Sequence, residues 1–156
     1  MNKRFVVVGL VLIAAVAFAL SVQGGRWWSI DGGFEIGPHG SRQCFGGECK
    51  PAGLGWVAGS ERWMRLGVAT WAGGLFSMLL LVVLAGTVAG KRIPRLLAKT
   101  TLVAIATATV AGTWFYLSYP GVNGASVDRG AWLFPIAVLC GAAGAFAVVR
   151  ARPTTA

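Results

Sequence analysis

Four long apolar runs divide the chain. Residues 5–22, 66–90, 100–117 and 131–149 contain no Asp, Glu, Lys, Arg or His. Their apolar positions follow neither the alternation of a half-buried strand nor a heptad. At about 1.5 Å per residue, an 18-residue run gives a helix of roughly 27 Å, close to the thickness of a bilayer's hydrocarbon core. In that medium the backbone must satisfy its own hydrogen bonds, which means helix. The pattern predicts an all-α membrane fold, a four-transmembrane-helix bundle forming a single membrane domain over residues 1–156. One long polar segment, residues 23–65, lies between the first two spans.

Within that segment the period changes. Trp27-Trp28-Ser29-Ile30 and Phe34-Glu35-Ile36 are β-prone and flank Asp31-Gly32-Gly33, a hairpin signal that Gly37-Pro38 then ends. Cys44 and Cys49 flank Gly46-Gly47 and can face each other across a second hairpin within disulfide reach. A bridge there suits an oxidising outer compartment and would pin strand register. The expectation is a small extracytoplasmic β element. The second polar loop, residues 118–130, has turn signals at Pro120-Gly121 and Asn123-Gly124, and it could lend a short edge strand to that element.

Composition and charge agree with the membrane reading. Of the 156 residues, 56% are hydrophobic and only 12% charged, too little polar surface to cover a soluble globule. Eight basic and no acidic residues flank the ends of the spans on one side: Lys3, Arg4, Lys91, Arg92, Arg95, Lys99, Arg150 and Arg152. The other side carries six basic residues and all five acids, so the two sides hold +8 and +1 of the total +9. The positive-inside rule therefore puts both termini in the cytoplasm of a multi-pass cell-membrane protein. The excess of positive charge is then a collar at the inner membrane surface facing the lipid bilayer, with no role in binding nucleic acid. All seven tryptophans fall on the outer side. Residues 1–20 also have the form of a signal peptide, with Ala17-Phe18-Ala19 as a cleavage site. The apolar run is long for that role, so an uncleaved anchor is expected.

Candidate chemistry is sparse. No ionisable group lies within a span, which speaks against a pump or carrier. His39 with Cys44 and Cys49 matches no zinc spacing, and no catalytic, cofactor or metal residue is assigned. Cys140, inside the last span, is expected to be buried and reduced. Small residues recur at helix-contact spacing: Gly86 and Gly90, then Ala104, Ala108 and Gly112, then Ala137, Gly141 and Ala145, expected to pack helix on helix. Thr107, Thr109 and Thr113 can bond back to their own helix.

Four spans with cytoplasmic termini, and a long first outer loop holding two hairpins and a cysteine pair, resemble the claudin-like tetraspan group. Trp27 or Trp28 corresponds to that group's loop tryptophan, Cys44 and Cys49 to its bonded pair, and Arg62 or Arg65 to its arginine near the second span. Gly53-Leu54-Gly55-Trp56 lies after the cysteines here, whereas the group's Gly-Leu-Trp precedes them. The resemblance implies a non-enzymatic protein acting through outer-face contacts with other membrane proteins or itself. Its interaction candidates are Trp27, Trp28, Trp56, Trp63, Arg62 and Arg65. Two alternatives stand beside it. Cys44 and Cys49 near Arg62 and Arg65 also resemble membrane thiol oxidases linked to quinone, and an oligomeric pore is the third reading.

Overall fold

The apolar runs form four helices, α1 (Lys3–Val22), α2 (Glu61–Ala89), α3 (Arg95–Leu117) and α4 (Arg129–Arg150), in a computed structural model that describes residues 3–23, 26–57 and 61–151. Each is long and apolar enough to cross a membrane. The helices pack in a ring: α1 lies against α2 and α4, α3 against α2 and α4, and the diagonal α2–α4 pair barely touches. The fully buried core holds Val11, Ala14, Phe18, Leu81, Leu84, Ala108, Ala137 and Ala145. Leu12, Ile13, Val16, Phe76, Leu79, Val83, Val103, Val110 and Leu139 point outward. This apolar exterior would be insupportable in water and is what lipid requires.

Helix ends run past the apolar stretches. α2 begins at Glu61 instead of residue 66, so Arg62, Trp63 and Arg65 are helical and the first polar loop is shorter than 23–65. Its 29 residues span about 44 Å, well beyond a hydrocarbon core of roughly 30 Å. Glu61 in its first turn is favourable to the helix dipole. α3 starts at Arg95, directly after Pro94, so Arg95 and Lys99 are also helical. Asp128 caps α4 by accepting from the Arg129 amide. Polar residues mark the end of the apolar run, but not the end of the helix.

The small-residue positions divide. Ala104, Ala108, Gly112, Ala137, Gly141 and Ala145 are buried between helices. A Cβ on Gly112 would lie 2.6 Å from the Phe134 ring, so this α3–α4 crossing requires glycine. Gly86 and Gly90 correct the expectation, because both are exposed and a Cβ on Gly86 would touch nothing. Gly90 lies just after α2, which ends at the left-handed Lys91. The Lys91 amide donates to the Val88 carbonyl at 3.2 Å and the Arg92 amide to the Thr87 carbonyl at 3.1 Å, the Schellman pattern. Thr107 and Thr109 do bond back to Val103 and Ile105.

The polar loops form one antiparallel sheet in the order β4-β3-β2-β1-β5. Strands β1 (Trp28–Ile30), β2 (Phe34–Ile36), β3 (Ser41–Phe45) and β4 (Glu48–Ala52) come from the first loop, and β5 (Ala125–Val127) comes from the second. Gly46 and Gly47, at φ 59° and 90°, form the two-residue turn between β3 and β4. The edge strand β4 carries Lys50 and Pro51, which discourage further strand addition.

Candidate functional site

Register determines what each face of the sheet presents. Val127, Trp28, Ile36, Ser41 and Ala52 form one cross-strand row, and Trp28, Ile36 and Ser41 are buried against the bundle. Two residues further out, on the same face, come Ala125, Ile30, Phe34, Gln43 and Lys50, then Phe45 opposite Glu48. The opposite face carries Ser126, Ser29, Glu35, Arg42 and Pro51, then Cys44 opposite Cys49. Ser29 and Ser126 hydroxyls meet there at 3.0 Å. This face is therefore buried and mainly apolar at its base, while further out Phe34 and Phe45 lie beside Gln43, Lys50 and Glu48 and the bundle does not cover them.

Beneath that base lies an aromatic junction. Trp27, Trp28, Trp63, Phe115 and Phe134 are all buried. Trp28 stacks on Tyr119 at 4.2 Å between ring centroids and Trp63 on Phe115 at 4.9 Å, while Trp27 meets Phe134 at 5.2 Å. The indole N–H of Trp27 donates to the Ser21 carbonyl at the end of α1, and that of Trp63 to the Phe115 carbonyl at the end of α3. These are carbonyls that a helix C-terminus leaves without a helical partner. The Ser21 hydroxyl donates to the Gly130 carbonyl at 2.8 Å. Gly130 itself has no room for a side chain, since a Cβ would lie 2.6 Å from the Arg26 carbonyl oxygen. Burial raises the Tyr119 phenol above its usual value near 10, so it stays neutral at physiological pH.

Three interaction candidates are thereby corrected. Trp27, Trp28 and Trp63 are only 2–3% exposed and hold the sheet on the helices, so they offer no surface to a partner. Side chains so apolar gain more by covering the helix ends of their own chain than by staying in water. Trp56 remains exposed at 43%, its indole N–H donating to the Ser41 hydroxyl at 2.8 Å. Arg62 is exposed, and Arg65 pairs with Glu61 in a solvated i,i+4 contact of 3.1 Å. Phe45, 59% exposed, was not singled out by the sequence pattern, yet it joins Phe34 at 6.1 Å and, through Phe34, Trp56 at 5.2 Å. The signal available was its place one residue before the Gly-Gly turn, on the apolar side of the alternation.

Cys44 and Cys49 are disulfide-bonded, with Cα atoms 4.0 Å apart. The Cys44 amide donates away from β4, to the Gly33 carbonyl at 2.7 Å, so the pair occupies a position in the β3–β4 ladder where side chains approach most closely. His39 lies in the β2–β3 turn, at the other end of β3, with its ring 4.5 Å from Trp71. It lines a cleft of about 330 Å³ together with Gln23, Arg26, Glu35 and Arg42, with Arg26 and Glu35 paired at 2.7 Å. Among the described residues, no three His, Cys, Asp or Glu side chains gather where they could hold a metal. Cys140 is half-buried and unbonded in α4, about 16 Å along the helix from its sheet end. Comparison with known proteins found no matching family model, no similar curated protein and no similar solved structure.

Proposed function

We propose that this chain is a non-enzymatic, multi-pass membrane protein that acts through protein–protein contacts of its outer sheet, as an accessory subunit, scaffold or adhesion-type tetraspan of claudin-like layout. Both termini are on the cytoplasmic side. That orientation rests on the basic collar at the end of the bundle opposite the sheet and on the positive-inside rule. Helix α1 is retained as an anchor in this reading, because Ala14 and Phe18 belong to the fully buried core.

The observation that carries the proposal is an exposed aromatic cluster on the part of the sheet that extends beyond the bundle. Phe34, Phe45 and Trp56 form this cluster, with Phe45 and Trp56 exposed on the side of the sheet whose base is buried against the bundle. Aromatic side chains of this kind are the usual anchors of protein contacts. The thiol-oxidase alternative needs a second cysteine pair, and the one remaining cysteine, Cys140, is deep in α4.

Site-specific photo-crosslinking in intact membranes tests the proposal. A photoreactive residue in place of Phe45 should give a discrete higher-mass adduct. The same residue in place of Arg42, on the opposite face, should not. No adduct at position 45, or equal adducts at both positions, would overturn the assignment.

A further inference from the structure

We infer that the end of the bundle opposite the sheet contains a binding site for the phosphate headgroup of an anionic phospholipid. A vestibule of about 570 Å³ opens there between the first turns of α1 and the last turns of α2 and α4. Its apolar floor includes Val7, Val88 and Val148, and its rim carries Arg4, Lys91, Arg92 and Arg150. No Asp or Glu of the described residues lies at this end.

The cations divide by task. Arg4 donates from Nε to the Val88 carbonyl at 2.7 Å and from Nη2 to the Ala89 carbonyl, satisfying the C-terminus of α2. Arg95 does the same for the far end of α4, donating to the Ala151 carbonyl at 2.7 Å. With the helix ends served by these two, Lys91, Arg92 and Arg150 remain on the rim. The Arg150 guanidinium rests 4.3 Å above the Phe146 ring, which leaves its hydrogen-bonding edge unused by that contact.

Lys91 adds an independent reason. It occupies the left-handed position that ends α2, at φ 63°, and is the one non-glycine residue with positive φ among those described. Glycine is the unstrained choice there. A lysine held in that conformation lines the vestibule at the expense of stability, a pattern expected of a functional position. The combination of cations above an apolar floor, at the level where helices leave the lipid, suits a lipid phosphate with its glycerol and upper chains better than a free ion.

The test uses full-length protein in neutral detergent and reads bound lipid by native mass spectrometry. Phosphatidylglycerol should be retained over phosphatidylcholine. Retention should fall about fivefold for each rim charge removed, in Lys91→Gly, Arg92→Gln and Arg150→Gln. Lys91→Gly serves as the control for folding, because it should melt no lower than wild type while binding less lipid. Millimolar inorganic phosphate should not displace the lipid. Equal retention of the two lipids, unchanged retention in all three variants, or displacement by phosphate alone would each overturn the inference.

Discussion

At the sheet end of the bundle, the carbonyls that end α1 and α3 accept hydrogen bonds from the indoles of Trp27 and Trp63. At the opposite end, the carbonyls that end α2 and α4 accept from the guanidinium groups of Arg4 and Arg95. The same unsatisfied groups are met by neutral donors on one side and charged donors on the other. A neutral indole can be buried at little electrostatic cost, so the sheet closes over that end as a packed aromatic layer. A guanidinium is costly to bury, and the other end is open as a vestibule with cations on its rim. The type of donor thus differs between the covered end of the bundle and the open one.

The largest expected effect comes from removing the aromatic layer. Trp27→Ala should lower stability by about 3–5 kcal/mol, since it deletes a buried ring and leaves the Ser21 carbonyl without its donor. Thermal unfolding in detergent measures this, and a loss below about 1 kcal/mol would show that the sheet and helices are not energetically joined through that ring. Replacing both Cys44 and Cys49 with Ser should cost about 2 kcal/mol or less, because the bridge closes a loop of only a few residues. Protection of β3 and β4 amides should fall in hydrogen exchange while the helices remain protected. A matching loss within α1–α4 would mean that the sheet's outer edge and the bundle unfold together. The smallest effect has the opposite sign. Lys91→Gly should raise stability by up to about 1 kcal/mol through relief of the left-handed backbone. A clear loss would place Lys91 among the structural contacts of the open end and erase the contrast between the two ends.

Much of the fold can be traced to local pattern. Runs without charge specify α1–α4, and Asp31-Gly32-Gly33 and Gly46-Gly47 specify the two hairpins, because turn geometry and lipid solvation act on short stretches of chain. The facing of Cys44 and Cys49 follows from the same turn. The candidate site was less legible. A tryptophan in a polar loop has the same composition whether it is sealed under a sheet, as Trp27 and Trp28 are, or half in solvent, as Trp56 is. Gly86 and Gly90 have the helix-contact spacing of Gly141 and Ala145, yet they face outward, because helix rotation is set by the sum of neighbouring contacts.

Charge, hydropathy and turn residues are properties of single positions and near neighbours, and so the spans, the polarity of the two ends and the disulfide hairpin belong to the sequence alone. Which rings are buried, which glycines touch a neighbour and which cations remain on the vestibule rim depend on residues more than fifty positions apart, as in Trp63 with Phe115 or Arg4 with Val88. Those pairings exist only once the helices have closed their ring, because burial and hydrogen-bond supply are decided by the whole packed arrangement.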